Sequence, residues 1–187
     1  MYESRNDYYG DDRRPDYRKM VNIPLELYES MKGDYFIGYA DNLTFGKGKS
    51  AWARLYNPRN SGRLLHVNVW TVTDISVAPF RAQFWFNAEA PGRYTESELV
   101  TPSNTAIRPL PEPRIKLQEA SDVSGEPTGG VKAFVRRGQP ESTLVETENG
   151  KLIFPPGGNF LVFLSLAENP ELSASGRIAF GWYEEKI

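Results

Sequence analysis

Ten short runs rich in β-branched and aromatic residues follow one another after residue 34, and turn sequences separate them. The turns are built from Gly, Asn, Ser and Pro, as in Gly46-Lys47-Gly48 and Asn60-Ser61-Gly62. The runs are residues 35–40, 51–56, 64–75, 79–87, 114–118, 131–136, 143–146, 151–154, 160–166 and 177–183. The pattern predicts an all-β fold of about ten strands, and 187 residues suffice for one main core.

One run shows how the strands are expected to face that core. Phe80, Phe84 and Phe86 alternate with Arg81 and Gln83. A strand that alternates in this way places one face on a core and the other toward solvent, as in one sheet of a sandwich. We therefore expect a two-sheet β-sandwich.

Residues 101–113 contain four prolines, which cannot donate hydrogen bonds to a strand ladder. The segment is predicted to be a long crossing or an extended edge connection. Such connections between sheets are typical of Greek-key and jelly-roll topologies, so the sandwich is expected to be jelly-roll-like.

The sequence Glu148-Asn149-Gly150-Lys151 is typical of a tight turn. Asn-Gly supplies the two positive φ angles of a type I′ turn. A β-hairpin is therefore predicted between residues 143–146 and 151–154.

The chain divides into three parts: a charged N-terminal tail at residues 1–20, a short segment at residues 21–33, and the sandwich at residues 34–187. The tail has five acidic and five basic residues and little apolar surface to offset the entropy of ordering it. It is either a solvated tail or an arm that docks on a neighbouring subunit through its tyrosines. Those tyrosines are Tyr2, Tyr8, Tyr9 and Tyr17.

The segment after the tail allows two structures. It could be a helix with Asn22 as N-cap and Gly33 as its C-terminal stop. It could equally be an arm strand, because Ile23, Leu25 and Leu27 alternate with other residues.

Composition excludes several classes of protein. The 22 basic and 24 acidic residues give a net charge of -2, so a general nucleic-acid surface is disfavoured. The chain has no cysteine and one histidine, and we expect neither a cofactor nor a metal centre. The first twenty residues are too charged for a signal peptide, and the longest apolar run, residues 160–164, is too short to cross a bilayer. These features predict a protein made in the cytoplasm, without membrane insertion.

No catalytic motif is recognisable, and the protein is predicted not to be an enzyme. His66 is expected to be a strand histidine that shares a face with Asn68 and Trp70. The sequence Gly46-Lys47-Gly48-Lys49-Ser50 lacks the earlier glycine of a phosphate-binding loop, since Leu43 stands there. The glutamates that a glycosidase would need could come only from a set without flanking motifs: Glu96, Glu98, Glu146, Glu148 and Glu184.

The four tryptophans are the candidates for recognition. Exposed on one sheet, they could stack sugar rings or contact a partner. They are Trp52, Trp70, Trp85 and Trp182.

Three segments carry a resemblance to known proteins: residues 48–58, 65–72 and 176–182. With them the chain resembles an uncharacterised family of single-domain β-sandwich proteins from spore-forming bacteria, over residues 33–183. The resemblance implies an association with the spore surface or another extracellular assembly, and implies no substrate. A virion component is the other assembly that a jelly roll with an N-terminal arm would fit.

We therefore expect a non-enzymatic structural protein whose partner is itself. Its sandwich and N-terminal arm would build a multimer, fibre or surface layer. The residues expected in the arm are Tyr2, Tyr8, Tyr9, Tyr17, Ile23, Leu25 and Leu27. The alternative is a carbohydrate-binding module that uses exposed aromatic residues, with a glycan as partner.

Overall fold

A computed structural model of the protein describes residues 21–187. This part of the chain forms eleven strands and one short helix, which confirms the all-β expectation. The elements are α1 (Leu25–Lys32), β1 (Tyr35–Gly46), β2 (Ser50–Tyr56), β3 (Arg63–Asp74), β4 (Phe80–Phe86), β5 (Thr95–Glu96), β6 (Val100–Pro102), β7 (Lys116–Val123), β8 (Val131–Gly138), β9 (Thr143–Phe154), β10 (Asn159–Ser165) and β11 (Ser173–Lys186).

The strands form two antiparallel sheets. Sheet A has the order β6-β1-β11-β3-β9, and sheet B has the order β5-β7-β2-β10-β4-β8. No two neighbouring strands are consecutive among the described elements, and the connections cross repeatedly between the sheets.

The main core lies between the sheets and is rich in aromatic rings. Trp70 of sheet A packs on Phe84 of sheet B with 4.3 Å between ring centroids. Phe84 in turn stacks on Phe134 at 4.4 Å. Phe80 and Phe84 are buried and Phe86 is half-buried against the same core, as the alternation of this strand predicts. Offset and tilted ring pairs of this kind add to the free energy gained by burying apolar area.

Strand β3 contains a bulge at Asn68. Val69 pairs with Gly181 and Val67 with Trp182, so Asn68 has no partner on β11. The bulge shifts the alternation of the strand by one residue, so that Val67 before it and Trp70 after it both face the core and are buried. The expectation that Trp70 shares a face with His66 and Asn68 is therefore wrong.

The predicted hairpin at Asn149-Gly150 is also wrong. Both residues have positive φ, 51° and 71°, but β9 runs through them and pairs with β3 along its length. Residues 148–151 lie opposite the single residue Asn68, in a second bulge. The physical reason is the length of β3. Its twelve residues are enough to pair with both residues 143–146 and residues 151–154, so these two runs need not pair with each other.

The segment at residues 21–33 is a helix, and the strand alternative is wrong. The helix begins at Leu25 after Pro24, without a side-chain cap, so the expected role of Asn22 is not observed. Gly33 ends it as predicted, with φ 83° in the left-handed region.

The proline-rich segment crosses from β6 in sheet A to β7 in sheet B, as predicted. A buried carboxylate fixes its end. Glu184 Oε1 accepts hydrogen bonds from the backbone N–H groups of Arg114 and Ile115, both at 3.0 Å. It also accepts one from Trp182 Nε1 at 3.3 Å. Burial raises the pKa of Glu184 more than these hydrogen bonds lower it.

This carboxylate should make stability depend on pH. Because the folded protein holds the pKa of Glu184 above its unfolded value of about 4.3, the folded state retains the proton longer as pH rises. The Glu184 contribution to the free energy of unfolding should therefore fall as pH rises through the raised pKa. Glu184→Gln keeps an acceptor for all three donors and should remove this fall. Urea unfolding between pH 4 and pH 8 measures it.

The control is Glu171→Gln, which changes an exposed glutamate. Its pH curve should run parallel to that of the natural protein. Parallel curves for Glu184→Gln and the natural protein would contradict the assignment.

Candidate functional site

Helix α1 is oriented in the reverse of the usual way. Its apolar side chains are exposed: Leu25 by 50%, Leu27 by 49% and Met31 by 60%. Its buried residue is a glutamate, Glu29. Amphipathic helices ordinarily bury their apolar side against the core. Here that side faces solvent.

The polar side of the helix makes ion pairs and hydrogen bonds. Lys32 forms ion pairs with Glu29 at 2.7 Å and with Asp34 at 3.3 Å. The hydrogen bond to Glu29 is the main reason that the pKa of Lys32 is raised. Ser103 Oγ also donates to Ser30 Oγ at 2.8 Å. The ion pairs are local to the helix and the residues after it, and the Ser103 contact joins its polar side to a distant part of the chain.

The outer face of sheet A is a second uncharged area. Two rows of outward-pointing residues cross β1, β11, β3 and β9, and the strand register aligns them. Ile37, Tyr39 and Val145 are exposed in these rows. The rows are Tyr39, Ala179, Thr71 and Val145, and beside them Ile37, Gly181, Val69 and Thr147. None of these eight residues carries a charge.

Polar pairs lie beyond these rows, toward each end of the strands. Arg177 Nε donates to Asp41 Oδ1 at 2.8 Å at one end. His66 Nε2 lies 2.8 Å from Glu185 Oε2 at the other end. We call the outer face of sheet A together with α1 the interaction surface. It has an apolar centre with polar pairs at its margin, the arrangement found in protein interfaces.

A groove of about 330 Å³ lies at one side of the interaction surface. Ile37 and Tyr39 of β1 form one wall, and Leu99 and Val100 beside β6 form the other. At Gly38 an added Cβ would lie 2.9 Å from Val100 Cγ2, so a larger residue there would not fit without movement.

His66 has a structural position. Its Nδ1 lies 3.1 Å from the Gly150 carbonyl oxygen, and its ring stacks on Tyr183 with centroids 4.4 Å apart. It is hydrogen-bonded to the two neighbouring strands, β9 and β11. It lies at the bulge of β9, and its hydrogen-bond partners among residues 21–187 are the Gly150 carbonyl oxygen and the Glu185 carboxylate.

The candidate glutamates are dispersed over different elements. Glu148 accepts from Trp70 Nε1 at 3.1 Å and pairs with Lys151 at 3.0 Å, and Glu184 is held by backbone amides. Glu96 pairs with Lys116 at 3.5 Å, and Glu146 lies 3.9 Å from Arg136. Glu98 lines the groove beside β6.

Comparison with known proteins gives one result. The model of the Family of unknown function (DUF6143) matches residues 7–187. The chain belongs to this family. The DUF6143 match begins well before residue 33, so it includes most of the tail that the sequence resemblance leaves out. Searches of curated proteins and of solved structures give no match.

Residues 21–187 of this DUF6143 protein contain neither a membrane-spanning helix nor a cluster of metal ligands. In that range no helix is long and apolar enough to cross a membrane. The same residues contain no cluster of three or more His, Cys, Asp or Glu side chains that could hold a metal ion.

The tryptophans do not form the exposed platform that the sequence allows. Trp52, Trp70 and Trp182 are at most 1% exposed, so for these three the expectation of a surface ligand site is wrong. Trp70 and Trp182 belong to the core between the sheets. Trp52 lies on the outer side of sheet B and donates to the Pro91 carbonyl oxygen at 2.8 Å, below a covering loop. Trp85 is half-buried, with Lys132 Nζ 4.7 Å from its ring centroid. Alternation alone does not reveal such covering segments.

The residues expected in an arm fall into two groups. Ile23, Leu25 and Leu27 are exposed on or beside α1. The tyrosines of the tail lie outside the described residues: Tyr2, Tyr8, Tyr9 and Tyr17. The sequence leaves helix and strand open for this segment and does not indicate which side of a helix would face solvent, because the polar contact with Ser103 comes from about seventy residues along the chain.

The exposed side of α1 should contribute little to folding. In dilute solution Leu27→Ala and Met31→Ala should each change the free energy of unfolding by less than about 0.5 kcal/mol. Leu55→Ala is the matched control in the core and should cost about 2–5 kcal/mol. Urea unfolding measures all three. A loss of about 2 kcal/mol or more at Leu27 or Met31 would show that the helix packs by its apolar side.

Proposed function

We propose that the protein is a non-enzymatic structural protein that associates with copies of itself through the interaction surface. The observation that carries this proposal is the helix α1, which exposes Leu25, Leu27 and Met31 while it buries Glu29. Contiguous exposed apolar area is uncommon on monomeric proteins and ordinarily marks a contact with a partner.

The surface is suited to a second copy of the same chain. Interfaces between identical subunits are more apolar than other surfaces and are depleted of charge at their centre. The eight residues of the two rows are uncharged, and they lie side by side across β1, β11, β3 and β9. Two such faces, related by a two-fold axis, could pack as sheets do in a sandwich.

The N-terminal arm would extend the association beyond a pair. Residues 1–20 can span about 66–72 Å when extended. A domain of this size is about 40 Å across, so the arm is long enough to reach a neighbouring copy. It begins from Val21, which is 65% exposed. The family match from residue 7 supports a role for this segment within the unit.

The resulting assembly would be a multimer, a fibre or a layer at the surface of a spore or a similar extracellular structure. The resemblance of residues 48–58, 65–72 and 176–182 supports this location.

A charge placed in the interaction surface should prevent association. Ile37→Glu and Leu27→Glu each introduce a carboxylate that a dimer would bury without a partner. Each should raise the dissociation constant at least about 100-fold, or about 2.7 kcal/mol. Light scattering across a concentration series measures the effect.

Val131→Glu is the matched control, since Val131 is 61% exposed on β8 in sheet B. It should leave the association unchanged. A natural protein that remains a 21.2 kDa monomer at every concentration would refute the proposal.

Removal of the arm should limit the assembly. A chain that begins at Val21 retains the interaction surface and should form pairs, but not the larger particles of the full chain. Negative-stain imaging of the two proteins at equal concentration tests this. Particles of equal size would show that the arm has no part in assembly.

A further inference from the structure

Arg54 is a nearly buried cation on the outer side of sheet B. It lies on β2 between Trp52 and Tyr56, and it is 8% exposed. Its Nε donates to Gln118 Oε1 at 2.8 Å. It lies on the opposite sheet from the interaction surface, so its role is independent of the proposed function.

Aromatic rings surround the guanidinium. Arg54 Cζ lies 5.4 Å from the ring centroid of Trp52, 5.3 Å from that of Tyr56 and 5.5 Å from that of Tyr94. Cation–π attraction of this kind partly compensates for burying the charge. Tyr94 is 50% exposed, so the cluster opens to solvent on its side.

The hydrogen-bonding capacity of Arg54 is mostly unused. A guanidinium has five N–H donors, and within the described residues only the one on Nε is bonded to protein. Neither Nη atom is sealed from solvent. No carboxylate of the described residues lies within ion-pair distance. The two Nη atoms are therefore available to a ligand.

The electrostatics favour an anion at this point. Burial is the main reason that the pKa of Arg54 is lowered, and the negative charge of Glu89 opposes this only in part. A buried cation without a counter-ion is costly, and a bound carboxylate would supply the counter-ion with two parallel hydrogen bonds.

We propose that Arg54, Tyr56 and Tyr94 bind a carboxylated sugar, with the carboxylate on the Nη atoms of Arg54 and the sugar ring against a tyrosine face. The C–H side of a pyranose ring packs on aromatic rings, and ligand sites commonly combine such apolar walls with few polar groups. A small anion without a ring would be attracted only weakly, because the protein has a net charge of -2 and Glu89 lies near Arg54. The ligand must therefore also contact the aromatic rings. A uronic acid combines the flat ring and the carboxylate in one unit.

Titration calorimetry with the full chain tests the proposal. The probes are trigalacturonate, a glucuronate-containing hyaluronan tetrasaccharide, neutral maltotriose and poly-glutamate. Binding of either uronate probe, without binding of maltotriose or poly-glutamate, is expected. Binding of neither uronate would overturn the proposal. Equal binding of poly-glutamate would also overturn it, because the site would then recognise peptide carboxylates.

Three variants locate the site. Tyr94→Ala removes a half-exposed ring and should weaken uronate binding at least tenfold without unfolding the protein. Arg54→Lys keeps the charge but loses the planar fork, and it should weaken binding by a similar factor. Tyr28→Ala, on α1 and 49% exposed, is the control and should bind as the natural protein does. Unchanged binding in a folded Tyr94→Ala protein would overturn the assignment.

Discussion

The bulge at Asn68 is the constraint on which the arrangement of sheet A depends. A strand with strict alternation would place Val67 and Trp70 on opposite faces. The extra residue lets both point into the core, where Trp70 contacts Phe84 of the other sheet. The opposed bulge of β9 brings the carboxylate of Glu148 to Trp70 Nε1, so the buried indole N–H has an acceptor.

The same bulge shapes the outer face of sheet A. Beyond Asn68 the outward residues of β3 are Val69 and Thr71, which continue the uncharged rows from β1 and β11. Sheet B has a different outer face. A loop around residues 88–91 covers it and forms a second cluster with Trp52, Val123 and Phe163 of the sheet. The uncharged rows of sheet A thus expose Ile37, Tyr39 and Val145, whereas a loop covers the part of sheet B around Trp52 and Phe163.

The sequence predicts those features of the fold that depend only on residues close together in the chain. The strand runs, the alternation around Phe84, the stop at Gly33 and the crossing at residues 101–113 are local properties. The hairpin prediction failed because the partner of β9 is chosen by the length of β3, which the Asn149-Gly150 pattern does not contain. The burial of Trp52 depends on a loop that ends near Pro91, about forty residues away in the chain. The polar side of α1 contacts Ser103, about seventy residues along the chain, so periodicity could not reveal that the apolar side is exposed.

The interaction surface lies on sheet A, and the cluster of Arg54, Tyr56 and Tyr94 lies on sheet B. Copies that associate through sheet A would leave the Arg54 cluster of every copy accessible on sheet B. Each site could be weak by itself, since a single ring contact and one bidentate pair give modest affinity. A multimer presents many such sites at fixed spacing, and linked sites bind a repeating polymer far more tightly than one site does. Self-association through one face would thus make weak recognition through the other face effective.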